Sequence, residues 1–254
     1  MWRFAAARVT GKSHLKAALP CQDQLACAVL PSGTFVAAVS DGAGSAIMAE
    51  RGARLAVEIA MEHVTHVVER GRSDFEVILR EAAGKAREAV LTEAIEHASE
   101  PRDFASTLLV AIAGPSGGGA LQIGDGVIVV SDGGDGWSWL FWPQRGEYVN
   151  TTRFLTDEDS MQVLEVGPFP GQVTDIALMT DGLEPLALHY ASKSPHTPFF
   201  TGMFRPLLRA NGANEIGHLS SSLESFLASE PVGSRTDDDV SLILATCRLP
   251  EIDE

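Results

Sequence analysis

In this chain of 254 residues, aspartates sit where strand-length apolar runs end or begin: at Asp41, Asp125, Asp181 and the cluster Asp237–Asp239. At the first three the next residue is glycine. The clearest case is Phe35-Val36-Ala37-Ala38-Val39-Ser40, which runs into Asp41-Gly42-Ala43-Gly44. Such a run reads as a buried strand, and the glycines let the backbone turn tightly around the carboxylate. Two readings are open. Each Asp-Gly can be an independent turn, since both residues favour turns, and an Asp can also cap the helix that follows. Alternatively, the strand ends belong to one sheet or sandwich and converge, gathering the carboxylates in one pocket.

The rest of the chain fits closely spaced antiparallel strands with a few helices. Trp2 to Val9 reads as a strand, followed by a polar turn at Thr10-Gly11-Lys12-Ser13. Gly11-Lys12-Ser13 does not complete a phosphate-binding P-loop, because Ala6 stands where the first glycine is required. Gln24–Leu30 and Phe35–Ser40 around Pro31-Ser32-Gly33 predict a hairpin. From Ser45 to about Glu69, Ala49, Ala53, Ala56, Ala60 and Val67 recur on one helical face. Ser73 with Glu76 forms a capping-box pattern that opens a second helix to about Ala98, with Phe75, Leu79, Ala82, Ala86 and Ala89 inward.

His63 and His66 lie one turn apart without a third ligand nearby, and read as ordinary helix-surface histidines rather than a metal pair. Phe104–Ala113, Ala120–Ile123, Val127–Ser131 and Trp137–Trp142 predict an antiparallel meander, with a loop at Gly114–Gly119. The acidic turn Asp132–Gly136 lacks EF-hand spacing. Gly146–Gly171 reads as an irregular surface segment. Val173–Thr180 and Val240–Cys247 are further strands, and Pro198–Leu227 is mostly helical with a turn near Asn211-Gly212. No repeat or linker divides the chain, so residues 1–254 read as one domain.

Composition limits the partners. Nineteen Lys and Arg against thirty-four Asp and Glu give a formal charge of −15, which argues against broad nucleic-acid or anionic-membrane binding. Cys21, Cys27 and Cys247 form no CxxC pair and cannot all pair internally, and no signal-peptide pattern follows Met1, so a cytoplasmic setting is expected. No apolar run approaches the roughly 20 residues of a membrane helix. If the carboxylates do converge, they repel one another and require cations. All-oxygen ligands favour magnesium, manganese or calcium over zinc. Two such ions can lower the pKa of a shared water and clamp a phosphoryl group for in-line attack.

The order of motifs resembles the metal-dependent Ser/Thr protein phosphatases of the type 2C family, particularly a bacterial branch, over nearly the whole chain. The motifs are Cys21-Gln22-Asp23, Val39-Ser40-Asp41-Gly42-Ala43-Gly44, Phe104-Ala105-Ser106-Thr107-Leu108, Ile123-Gly124-Asp125-Gly126, Met179-Thr180-Asp181-Gly182-Leu183 and Asp238-Asp239-Val240-Ser241-Leu242. The resemblance implies an α+β fold, a four-layer α-β-β-α sandwich with two central antiparallel sheets. It implies two Mn2+ or Mg2+ ions, bridged by Asp41 with the Gly42 carbonyl on one of them, and Asp181 and Asp238 on the other. Asp125 matches the position of a third, weaker ion, and Asp23 matches an acidic residue holding a metal-bound water.

The implied activity is hydrolysis of phosphoserine and phosphothreonine in proteins by a metal-bridging water, on substrates supplied by a Ser/Thr kinase. The alternative is a non-catalytic member of the fold that binds phosphoproteins. Three departures from the family pattern stand out. Gln22 replaces a glutamate, which predicts weaker binding of the second ion. Ala18 replaces a phosphate-binding arginine, for which Lys12, His14 and Lys16 are the nearby substitutes. Ala43 replaces a histidine that protonates the leaving group. His14 is the first candidate for the phosphate contact, with an exposed loop histidine as the plain reading, and general-acid help comes from a metal-bound water, from His14, or not at all. The variable flap of the family falls on the segment near 146–171.

Overall fold

A computed structural model describes residues 1–134, 136–144, 152–210 and 213–250. The chain opens with β1 (Arg3–Val9), a short helix α1 (Lys12–Ala17) and the hairpin of β2 (Gln24–Val29) and β3 (Phe35–Ser40). Two long helices follow, α2 (Ala49–Glu69) and α3 (Phe75–Glu96). Then come β4 (Leu108–Gly114), β5 (Gly117–Ile123), β6 (Val127–Ser131), β7 (Ser138–Trp139), α4 (Ser160–Val163) and β8 (Glu165–Pro168). β9 (Asp175–Met179) leads through α5 (Glu184–Ala187), β10 (Leu188–His189) and β11 (Ser194–Pro195) to α6 (Thr197–Arg209) and α7 (Ala213–Leu227). A short α8 (Glu230–Gly233) precedes the last strand, β12 (Val240–Thr246).

The strands form two five-stranded antiparallel sheets, one in the order β1-β12-β9-β6-β7 and the other β2-β3-β4-β5-β8. Side-chain alternation explains why they stack. Along β12, Ile243 and Ala245 face the other sheet, while Leu242 and Leu244 face helices. Along β4, Leu109 and Ala111 turn to the inter-sheet core, and Leu108, Val110 and Ile112 turn outward. The outer face of the second sheet is covered by α2 and α3, whose alanines Ala56, Ala60, Ala82 and Ala86 allow close packing. The outer face of the first is covered by Phe200, Phe204 and Leu207 of α6 and Leu223 and Leu227 of α7. Each of these large side chains, where fully buried as Phe200 and Phe204 are, stabilises the layers by about 1.5–3 kcal/mol. The architecture is the expected four-layer α-β-β-α sandwich.

Several local expectations need correction. The meander is not one sheet: β4 and β5 pair in one sheet, and β6 and β7 in the other, so the chain changes sheet at Gly124-Asp125-Gly126. The polar turn after β1 extends into a helix, since Lys12 and Ser13 open α1 with Gly11 at its cap position. Gly117–Gly119 belong to β5 rather than to a loop, and Trp137–Trp142 contributes only the two residues of β7. Ser73 makes no capping box, because α3 starts at Phe75 with Asp74 at its cap position. Residues 146–151 and the turn at 211–212 lie outside the described residues. The described remainder of the irregular segment is not purely superficial. It contains α4 and β8, and it buries Leu155, Ser160 and Leu164.

Candidate metal centre

Strand register brings the carboxylates together. In one sheet Val39 pairs with Leu109 and Leu108 with Ile123, so Asp41, Thr107 and the turn bearing Asp125 leave at the same end. In the other sheet Met179 pairs with both Val127 and Leu242, which aligns the same Asp125 turn with Asp181 and with the approach to β12. Carboxylate oxygens of Asp41, Asp125 and Asp181 all lie within 4.8 Å of one another. These three and Asp238 line a cavity of about 180 Å³ together with His14, Gly42, Thr107, Thr152 and Phe154.

The surrounding backbone holds each carboxylate. The Asp41 N–H donates to Thr107 Oγ1 at 2.9 Å, and its carbonyl accepts from the Thr107 N–H at 2.8 Å. Gly42 donates its N–H to the Gln22 carbonyl at 3.2 Å. A Cβ on Gly42 would lie 2.7 Å from the Ala49 carbonyl oxygen, so close approach to the start of α2 requires glycine there. Gly124 sits at φ +108°, a left-handed conformation that places Asp125 at the crossover between sheets. Thr152 Oγ1 donates to Asp125 Oδ2. A Cβ on Gly182 would lie 2.1 Å from the Asp239 carbonyl oxygen, so the turn carrying Asp181 presses directly on the approach to β12.

Within the acidic cluster, neighbours divide the work. Asp238 faces the cavity and accepts from the Asp239 N–H at 2.8 Å. Asp239 is buried, and it accepts from the N–H groups of Gly11 at 2.7 Å and Gln22 at 2.6 Å. His14 Nδ1 lies 2.9 Å from Asp239 Oδ2, which holds the ring in the cavity wall. His14 is therefore not an exposed loop histidine. Asp23 and Gln22, by contrast, do not line the cavity. Asp23 is fully buried and accepts from Thr180 Oγ1 at 2.8 Å, and Gln22 is 7% exposed.

Crowding raises the affinity of these carboxyls for protons. Burial holds Asp41 well above the usual carboxylate range, and the charges of Asp23, Asp181, Asp238 and Asp125 push the same way. Asp181 is raised to about 7 by burial and then by Asp125 and Asp238. Asp23 is raised to about 7 by burial, against the hydrogen bond from Thr180 that favours its charged form. Asp181 Oδ1, Asp23 Oδ1 and Gln22 Oε1 are buried without a hydrogen-bond partner among the described residues. An oxygen-only donor set with unused lone pairs and mutual repulsion fits hard divalent cations.

Thr107, Thr152 and Phe154 also belong to the site. Thr107 stands inside the Phe104–Leu108 motif, which is its only sequence signal, whereas Thr152 and Phe154 lie in the irregular segment and carry none.

A family model described as Protein phosphatase 2C matches residues 10–228. The chain is 39% identical over 249 residues to Serine/threonine-protein phosphatase 3 of Escherichia coli (strain K12), covering 96% of this chain and 98% of that protein. The Staphylococcus aureus serine/threonine phosphatase Stp1 shares the fold at 14% identity, with a TM-score of 0.63 over 98% of this chain and 96% of its own. The catalytic domain of the serine threonine protein phosphatase PstP, solved with 2 manganese ions, does so at 15% identity, with a TM-score of 0.59 over 96% and 97% of the two chains. On the length of the family match and the near full-length identity, this chain belongs to the protein phosphatase 2C family.

Proposed function

We propose that the protein is a metal-dependent phosphatase that hydrolyses phosphoserine and phosphothreonine in proteins. The observation that carries this reading is the meeting of Asp41, Asp125 and Asp181 within 4.8 Å, with Asp238 in the same cavity. Asp41, Asp181 and Asp238, with the Gly42 carbonyl, would hold two divalent ions, and Asp125 would hold a third more weakly. Manganese or magnesium fits the oxygen donors. When bound, the ions supply an acidified water and stabilise the charge on the phosphoryl oxygens.

The chain's own residues do the rest. Thr107 fixes the backbone of Asp41 from both sides, and Thr152 orients Asp125. Asp23 and Gln22 support the centre from beneath through their unused buried oxygens. His14, held against Asp239, would donate to a phosphate oxygen or protonate the leaving serine or threonine oxygen as the P–O bond breaks, since Ala43 can do neither. The substrates would be proteins phosphorylated by a Ser/Thr kinase. A cytoplasmic setting is supported by three unpaired cysteines and by the absence of any described helix long and apolar enough to cross a membrane. No observation favours the non-catalytic phosphoprotein-binding alternative.

The test is hydrolysis of an aryl phosphate and of a phosphothreonine peptide with manganese present. Both activities should vanish in excess chelator and fall by at least roughly 10²–10³-fold in Asp41→Ala and Asp181→Ala. Activity that survives either treatment would sink the reading.

A further inference from the structure

We infer that Arg87, midway along helix α3, is a positioning residue for the metal centre: it grips Asp157 and Ser160 and so holds Thr152 on Asp125 and Phe154 in the cavity wall. The kinetic consequences rest on the phosphatase reading above. The contacts themselves do not.

Arg87 is half-buried on a helix whose neighbouring Ala83, Ala86 and Val90 are fully buried. A guanidinium in that position has lost part of its hydration and needs polar partners. One segment supplies two of them. Arg87 Nε donates to Ser160 Oγ at 3.0 Å, and Nη2 donates to the Asp157 carbonyl at 3.2 Å. Ser160 is itself fully buried. Two donors fixed in one plane set the orientation of the segment as well as its distance from α3, which the single ammonium of a lysine does not.

From that grip the contacts run on to the cavity. Asp157 Oδ2 accepts from the Phe154 N–H at 2.9 Å, and the Asp157 N–H donates to the Phe154 carbonyl at 3.1 Å, which closes a tight turn. Arg153 Nη1 pairs with Asp159 Oδ2 at 3.1 Å, so the two ends of this stretch are tied together. The N–H of the buried Leu155 donates to the Ser106 carbonyl at 2.8 Å, beside the Thr107 that fixes Asp41. Thr152 and Phe154 then line the cavity, and Thr152 Oγ1 donates to Asp125 Oδ2. The segment is thus fastened to the outer helix layer on one side and meets the centre on the other. A hydrogen bond that keeps a carboxylate charged and in one orientation favours cation binding there.

The test uses Arg87→Met, which keeps an aliphatic stem and removes both donors, alongside Thr152→Val and the double variant. Calorimetric titration of the metal-free chain with manganese alone should show the weakest binding step reduced by roughly tenfold in each single variant. The double variant should bind no more weakly than Thr152→Val, whereas independent effects would multiply to about a hundredfold. KM for an aryl phosphate should rise in Arg87→Met with a smaller change in kcat, and Arg87→Lys should recover part of the loss. Ser160→Ala, a small change at the same contact, should reproduce part of it and carries the test if Arg87→Met does not fold. Arg80→Met, on the same helix and paired with Glu76 at the surface, should alter neither reading. Losses that multiply would overturn the inference. So would wild-type manganese binding and KM in the Arg87 and Ser160 variants beside a lowered melting temperature, since Arg87 would then serve the fold alone. A wild type that binds manganese and hydrolyses no aryl phosphate would remove the phosphatase reading, and the coupling of Arg87 to Thr152 would still be decided by the titration.

Discussion

At the scale of single residues, Asp41 is under opposing demands. Its half-buried carboxyl stands among four other acidic side chains that raise its proton affinity. Removing that charge should relieve repulsion in the metal-free chain while it disables the centre. Asp41→Asn is therefore expected to keep or raise the metal-free melting temperature while activity with manganese drops by roughly 10²–10³-fold or more. A variant that is both inactive and markedly less stable would mean that Asp41 serves the fold. Cys27 offers an independent check on local environment. Burial pushes its thiol up to about 12, so little thiolate exists near pH 8. Alkylation of Cys27 by iodoacetamide at that pH, followed by peptide mass spectrometry, should be far slower in the folded chain than in denaturant.

Among the elements, glycine positions separate tight junctions from open helix. The 2.1 Å approach that a Cβ on Gly182 would make is to a backbone oxygen, which cannot rotate away. Gly182→Ala must push the Asp181 turn off the loop bearing Asp238 and Asp239. We expect a loss of about 1–3 kcal/mol in stability by denaturant titration, together with weaker manganese binding. Gly84, within α3, has nothing within 4 Å of the same added atom. There Gly84→Ala should stabilise by about 0.5–1 kcal/mol with unchanged activity, since only helix propensity changes. The helices and most strands were readable from periodicity, because α2 and α3 each bury one face and the central strands are short apolar runs. The sheet change at Gly124-Asp125-Gly126 was not readable, since a short glycine-containing break looks the same whether the chain reverses within a sheet or crosses between two.

For the molecule as a whole, the proton affinity of the centre sets how stability depends on pH. Asp23 and Asp181 are raised to about 7, and Asp41 too is held well above the ordinary carboxyl value of 3.8. Between those limits the folded chain binds more protons than the unfolded one, so stability is fully present below about 4 and is lost as pH rises through about 7. With chelator present, the melting temperature should fall between pH 5.5 and pH 8. Manganese should restore it more at pH 8, where the carboxyls are free to bind the ion. A metal-free melting temperature indifferent to pH would contradict this account.

The apolar strand runs, the amphipathic helices and the Asp-Gly junctions that point to a shared carboxylate site are all legible in the order of residues. Those features are encoded locally, in spacing and in residue type. Long-range packing, in contrast, sets which aspartate does what: Asp238 faces the cavity, while its neighbour Asp239 is buried against His14 and accepts from the N–H groups of Gly11 and Gln22. The same packing buries Asp23 behind the cavity rather than in its wall and brings Thr152 and Phe154 into its lining. Adjacent residues in an irregular approach to a strand carry no periodic signal. Which of them meets the cavity depends on strand register and on backbone contacts from segments distant in sequence, such as Gly182 against Asp239.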